Sequence, residues 1–121
     1  MTAGNREVPR FAIGHVSLDV LDVQRSLAFY ERIGMRSVVD MGSMGIIELR
    51  GGTHIILRKA DHASGTLDLI VDDIDETYAL LAEAGARPGD ISRGFPHDRF
   101  VATDSEGNRL VVNSTHAIGE I

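Results

Sequence analysis

Apolar and polar residues alternate in two stretches of the chain that lie 51 residues apart. In residues 15–20 every second residue is apolar, and residues 66–71 carry apolar residues at the corresponding positions. The glycines before these stretches, Gly14 and Gly65, have the same offset. Alternation with a period of two is typical of β-strands that bury one face. The pattern therefore predicts a strand near the start of each half of the chain.

A helical pattern follows each predicted strand. Apolar residues recur there three or four positions apart, which is the spacing of an amphipathic helix. Asp22 and Asp73 stand just before these stretches, where an aspartate caps free backbone N–H groups. Gly34 and Gly85 stand just after them, where a left-handed residue ends a helix. Each half is therefore predicted to contain one helix with defined ends.

Further apolar runs of strand length follow each predicted helix. After the first helix, Gly42-Ser43 and Gly51-Gly52 separate three such runs. After the second helix the pattern is weaker, with a short strand expected near Ile91 and two runs on either side of a turn at residues 104–108. The order strand, helix, strand, strand, strand is thus predicted twice. The later runs are residues 36–41, 44–50, 54–58, 99–103 and 109–113.

This repeat predicts an α+β fold class made of two βαβββ units. The first unit is expected over residues 11–60 and the second over residues 61–121. Residues 1–10 are expected to form a flexible N-terminal segment, and residues from about 115 onward a loose C-terminal end. The two units together are expected to form one domain.

Composition and charge narrow the possible functions. The 121 residues are 43% hydrophobic, enough for the core of one domain, and 12 basic against 18 acidic residues give a net charge of −6. A scattered set of basic residues in an acidic chain argues against a nucleic-acid partner. The sequence contains no long apolar run and no signal peptide, so no membrane partner and a cytoplasmic location are expected. Without cysteine, a metal would need histidine and carboxylate ligands.

Two motifs carry a resemblance to a known family. The segment GHVSLDVLDVQRSLAFYERIGM opens the first unit, and DSEGNRLVV forms the last predicted hairpin. Over residues 11 to about 114 the chain resembles the vicinal oxygen chelate superfamily, which includes glyoxalase I, fosfomycin and bleomycin resistance proteins and extradiol dioxygenases. The resemblance implies curled mixed sheets around a cavity, with the helices on the outer face. It also implies a divalent metal held by one residue from the first and the last strand of each unit.

The four metal-ligand positions of that superfamily fall on His15, Ile56, Thr66 and Val111. Only His15 keeps a side chain suited to a metal. Ile and Val have no lone pair to donate, and a catalytic divalent site needs three or more nitrogen or oxygen ligands. We therefore expect neither a metal site of the family type nor a cofactor, with a divalent metal as the less favoured possibility.

Strand alternation predicts which residues share the face of these four positions. The expected ligand-binding cavity has an apolar floor and a polar rim, a mixture that suits a small organic molecule. Phe100 is added as a residue that can stack on a planar ligand. The cavity residues predicted in this way are His15, Ser17, His54, Ile56, Arg58, Thr66, Asp68, Arg109, Val111, Asn113 and Phe100.

Two interpretations of His15 stay open, a general base or hydrogen-bond donor to ligand and a partly buried imidazole bonded within the sheet. Arg58, Arg99 and Arg109 offer forked donors to a carboxylate or phosphonate, but any one of them is also explained as a rim charge paired with an acid. No residue is assigned a catalytic role.

Three functions are compatible with these patterns. The leading hypothesis is a metal-free protein that binds a small organic ligand in the cavity between the units. The alternative is a metal-dependent lyase, isomerase or dioxygenase that uses His15 with non-standard partners such as His54 and Asp68. The third is a scaffold whose cavity has collapsed and which binds a protein partner. A homodimer is expected from the resemblance and from the preference of soluble oligomers for two-fold symmetry.

Overall fold

The computed structural model describes residues 8–115, which form two sheet units with one helix each. The first unit contains β1 (His15–Val20), α1 (Val23–Arg32), β2 (Arg36–Asp40), β3 (Met44–Glu48), a short 3-10 helix (Arg50–Gly52) and β4 (His54–Lys59). The second contains β5 (Thr66–Val71), α2 (Ile74–Glu83), β6 (Arg99–Thr103) and β7 (Arg109–Ser114). The predicted α+β class is confirmed. The loose ends predicted at residues 1–10 and from 115 onward fall mostly outside the described residues.

Both helices begin and end where the sequence predicts. The Asp22 carboxylate accepts a hydrogen bond from the backbone N–H of Arg25 at 3.0 Å, and Asp73 caps α2 in the same way through Glu76. Gly34 has φ +104° and so supplies the left-handed residue that turns the chain out of α1. Local capping chemistry therefore sets the ends of the helices. Neither helix is long and apolar enough to cross a membrane, as far as residues 8–115 are concerned.

The first and last strands of each unit lie side by side. The strand order is β1-β4-β3-β2 in the first sheet and β5-β7-β6 in the second. In both sheets the pair of first and last strands is parallel, whereas the remaining pairs are antiparallel. A parallel pair requires a crossover connection, and the helix together with the intervening strands supplies it. The duplicated topology brings together residues that are distant in sequence.

The second unit has one strand fewer than predicted. The segment near Ile91 forms only an isolated bridge, in which Ser92 and Arg99 exchange backbone hydrogen bonds of 2.8 and 3.0 Å. Pro88 has no N–H to donate, and Gly89 contributes a single hydrogen bond to the Val101 carbonyl at 2.8 Å. The expected short strand is therefore wrong. Few backbone donors are available to extend a ladder in this segment.

One hydrophobic core joins the two units. The apolar residues of each strand that face the helices are buried, including Leu18 and Leu57 in the first unit and Leu110 and Val112 in the second, all at 1% exposure or less. The opposite faces of the two sheets hold the polar residues of the alternating pattern. The helices thus cover one side of the sheets, and the polar positions lie on the other side.

Gly65 marks a close approach between the two units. Asp19 and Ser64 exchange backbone hydrogen bonds of 3.1 and 3.0 Å, which ties the end of β1 to the segment before β5. Gly65 has φ +143°, and a Cβ at this position would lie 2.2 Å from Cδ2 of Leu18. Only a residue without a side chain allows this contact, so the second repeat also opens on glycine for a packing reason.

A buried hydrogen bond connects the helix of the first unit to the last turn of the second. The Tyr30 hydroxyl, whose residue has no exposed surface, donates to Oδ2 of Asp104 at 2.6 Å. Asp104 also accepts from the backbone N–H groups of Glu106 and Asn108 at 2.9 and 2.8 Å, and from the Asn108 side chain at 3.1 Å. The DSEGN turn is therefore organised around one carboxylate that also binds the neighbouring unit.

The same turn caps the start of α1 from outside. The Glu106 carboxylate accepts from the backbone N–H groups of Leu21 and Asp22 at 3.0 and 3.1 Å. An acidic side chain at a helix N-terminus is stabilising because free N–H groups point toward it. The last turn of the second unit thus contacts α1 both at its beginning and, through Tyr30, along its buried face.

Replacing Tyr30 with phenylalanine tests this connection. Tyr30→Phe leaves one oxygen of a buried carboxylate without its strongest donor, which should lower the free energy of unfolding by about 1–3 kcal/mol. Tyr78→Phe is the matched control, because its hydroxyl makes a 3.3 Å bond to the Pro88 carbonyl and is only half-buried; we expect a loss under about 1 kcal/mol there. Urea denaturation measures both. Equal losses would contradict a special role for Tyr30.

The tyrosine also predicts how stability changes at alkaline pH. Burial, with the neighbouring Asp104 carboxylate, raises the pKa of Tyr30 well above the ordinary tyrosine value. Above that ordinary value the unfolded chain releases the proton while the folded chain keeps it, so unfolding is favoured as pH rises. This group should remove about 1.4 kcal/mol of stability per pH unit above pH of about 10. Denaturation at a series of pH values should show a shallower decline for Tyr30→Phe; parallel declines would refute the assignment.

Candidate functional site

The polar faces of the two sheets hold ten of the eleven predicted site residues. On the first sheet the parallel register places His15 beside His54 and Ser17 beside Ile56. On the second sheet it places Thr66 beside Arg109 and Asp68 beside Val111. The remaining two continue these rows, since Arg58 lies beside Asp19 and Asn113 beside Ile70. Each sheet thus carries a patch of mixed polar and apolar side chains on this face, and in the second patch Val111 and Asn113 are buried, at 3% and 5% exposure.

Two histidines and an acid form one end of the first patch. The rings of His15 and His54 have centroids 5.8 Å apart and are tilted by 36°. Nε2 of His54 lies 3.1 Å from Oε1 of Glu48, and Glu48 also makes an ion pair with Arg36. His15 is exposed and His54 is half-buried. The pair can donate or accept hydrogen bonds toward a ligand on the open side of the sheet.

Glu48 is a site residue that the sequence interpretation missed. It lies on β3 in register with His54, and its carboxylate holds the ring of that histidine. The signal was present, because the alternation in residues 44–48 puts Met44, Ile46 and Glu48 on one face. The order β1-β4-β3 was the missing information. Only that order shows that β3 borders the strand of His54.

The second patch is organised by a buried asparagine. The side-chain amide of Asn113, which is 5% exposed, donates to Oδ1 of Asp68 at 2.7 Å and to the Leu69 carbonyl at 3.1 Å. Asp68 itself is exposed, and so are Thr66 and Arg109. The amide therefore orients the carboxylate of Asp68 at the open surface. Asn113 acts here as a positioning group.

Phe100 does not belong to either patch, and its prediction as a stacking residue is wrong. It is 2% exposed and packs edge-on against Tyr78 of α2, with ring centroids 5.1 Å apart. On β6 the residues that share its face are buried under the helices, whereas Arg99, Val101 and Thr103 alternate onto the other face. The large apolar ring is retained by the core because burial of an aromatic side chain is strongly favourable.

The residues present do not fit the metal of the superfamily. Ile56, Thr66 and Val111 occupy three of its four ligand positions, and two of these side chains are hydrocarbon. Within residues 8–115 no three His, Asp or Glu side chains group as a metal site. Asp68, considered as a third ligand beside His15 and His54, lies on the other sheet and is bonded to Asn113.

The pairing of the two units defines the class of the protein. Two sheets with parallel first and last strands, one helix each and polar faces on the side opposite the helices form the fold of the vicinal oxygen chelate superfamily. Within it, the chain belongs to the glyoxalase-like domain family, whose model matches residues 15–113. The sequence-based identification of the superfamily is confirmed. None of the curated proteins compared with the chain matches it in sequence.

Solved structures share this architecture at low sequence identity. Lactoylglutathione lyase from Agrobacterium tumefaciens aligns with a TM-score of 0.75 and 19% identity, covering 90% of this chain and 97% of that chain. TioX from Micromonospora sp. ML1 aligns at 0.74 and 18%, covering 86% and 98%. A bleomycin resistance determinant encoded on transposon Tn5 aligns at 0.73 and 19%, covering 88% and 100%. At such identities the likeness shows the fold alone.

Proposed function

We propose that this protein binds a small organic acid on its polar sheet faces and does so without a catalytic metal. The observation that carries the proposal is the replacement of three family ligand positions by Ile56, Thr66 and Val111. A floor of this kind stabilises an apolar ligand body and disfavours a buried dication. The proposed setting is the cytoplasm, with neither a membrane nor a nucleic acid as partner.

The charged groups around the floor favour an acidic ligand. Arg58 and Arg109 are exposed on the first and second patch, and neither guanidinium makes an ion pair among residues 8–115. Arginine forks match a carboxylate or phosphonate geometrically. A large planar drug is less well supported, because Phe100 is buried and Phe95, which is 99% exposed, lies outside both patches.

We also propose that a second copy of the chain covers these faces. Ile70 on the second patch is 42% exposed, and Val38 and Met41, in and just after the edge strand β2 of the first sheet, are 45% and 68% exposed. Apolar side chains in this number around an open sheet are typical of an interaction surface. A two-fold dimer would enclose the ligand between patches of different copies.

The competing function is metal-dependent lyase, isomerase or dioxygenase chemistry at His15. The proximity of His15 and His54, with Glu48 on the latter, is the one feature in its favour. The proposed third ligand, Asp68, lies on the second sheet. Metal content therefore separates the two functions.

Elemental analysis of protein purified without chelator tests the metal-free proposal. We expect far less than one divalent ion per chain, because the donor set is incomplete. A thermal-shift screen of small carboxylic and phosphonic acids should then find a ligand whose stabilisation reaches about 2.7 kcal/mol at 100 times its dissociation constant. Arg109→Gln should lower the affinity for that ligand. Arg10→Gln, which removes an exposed charge elsewhere, should leave the affinity unchanged. One tightly bound ion per chain would overturn the proposal.

Light scattering at micromolar concentration tests the dimer. The expected mass is twice the 13.1 kDa of one chain. Ile70→Asp places a charge on the proposed interface and should shift the mass toward that of one chain, whereas Leu80→Asp, an exposed site on α2, should leave it unchanged. A single-chain mass for the unaltered protein would exclude a stable dimer.

A further inference from the structure

A recess of about 420 Å³ lies on the helix side of the molecule, away from the polar sheet faces. It is formed by α1, by the residues after α2 and by the turn between β6 and β7. None of the site residues predicted from the sequence lines it. The lining residues that matter for its chemistry are Arg25, Phe29, Arg32, Arg87, Asp104 and Ser105.

Three arginines of this recess have no partner for their charge among the described residues. The guanidinium groups of Arg25, Arg32 and Arg87 make neither a hydrogen bond nor an ion pair with any of residues 8–115. By contrast, Arg50 and Arg93 are each paired with a carboxylate. In a chain of net charge −6, three unpaired cations around one depression are a marked local excess. Such a concentration of forked donors attracts oxyanions.

The acid in the recess makes no ion pair with these arginines among residues 8–115. The Asp104 carboxylate is 6% exposed, and both of its oxygens are occupied. Oδ1 accepts from the backbone of Glu106 and Asn108, and Oδ2 accepts from Tyr30 and the Asn108 side chain. No oxygen of Asp104 is left to pair with a guanidinium. Three positive charges therefore lie around a carboxylate whose oxygens are hydrogen-bonded to other parts of the fold.

Two further features of the recess bear on ligand binding. The hydroxyl oxygen of Ser105 is buried and has no hydrogen-bond partner among the described residues. A buried hydroxyl is normally satisfied, so a small movement of the turn that opened this oxygen to the recess would let an anion oxygen supply the missing acceptor. Arg87 has φ +49°, an uncommon left-handed conformation for a residue with a side chain, and such conformations concentrate at functional sites.

We propose that this recess binds a small organic phosphate. Arg25, Arg32 and Arg87 bind the phosphate oxygens, and Ser105 donates to one of them. The ring of Phe29, together with Ala28 and Ala84, supplies apolar surface for the organic part of the ligand. The site is separate from the sheet faces on which the proposed function rests, so either one can fail without the other.

An NMR titration of the whole chain with phenyl phosphate tests the proposal. At constant ionic strength we expect saturable shifts of the backbone amides of Arg32, Gly85 and Ser105, with weaker binding of inorganic phosphate and none of phenol. Arg32→Gln and Arg87→Gln should each raise the dissociation constant about tenfold or more, as expected for loss of a charged hydrogen bond. Both side chains are exposed, so the variants should fold normally.

The control removes the same charge outside the recess. Arg10 is exposed and does not line the recess, so Arg10→Gln should leave the affinity unchanged. Equal weakening by Arg10→Gln, or shifts that never saturate, would show general charge attraction and overturn the site. Shifts confined to His15 and Arg109 would move phosphate binding to the sheet faces and also overturn it. Equal affinity for inorganic phosphate would overturn the assignment of an organic ligand.

Discussion

The hydrogen bond from Tyr30 to Asp104 is the constraint on which the arrangement of the two units depends. It is buried, it joins α1 to the last hairpin, and the carboxylate that accepts it also organises the DSEGN turn. Because a buried carboxylate is costly unless its oxygens are paired, the turn and the helix must be placed together. Glu106 adds a second contact from the same turn to the start of α1. These contacts fix α1 against the last turn of the second unit.

This arrangement decides where ligands can bind. With the helices and the core on one side, the opposite faces of both sheets carry a mixture of exposed polar side chains and buried ones such as Val111 and Asn113. The duplicated parallel pairs then bring His15 to His54 and Asp68 to Val111. At Ile56 and Val111 these faces carry hydrocarbon side chains, which have no lone pair to offer a metal. On the helix side both oxygens of Asp104 are hydrogen-bonded within the fold, and Arg25, Arg32 and Arg87 make no ion pair with any of residues 8–115.

Much of the fold could be predicted because it is encoded locally. Asp22, Asp73 and Gly34 act on neighbouring backbone groups, and strand alternation assigns faces without knowledge of neighbours. Predictions failed where a residue had two possible environments. Phe100 was compatible with cavity or core, and burial against Tyr78 placed it in the core. Ile91 was compatible with a strand, but Pro88 and Gly89 leave too few backbone donors beside β6.

The sequence by itself determined the repeat, the ends of the helices, the superfamily and the loss of its metal ligands, since each depends on residue type at a fixed spacing. Tertiary structure decided which strands are neighbours, and therefore that Glu48 holds His54 and Asn113 orients Asp68. It also decided that the DSEGN motif joins the units through Tyr30. These contacts link residues far apart in the chain. The packing of the common core brings these residues together, and no local sequence pattern predicts such contacts.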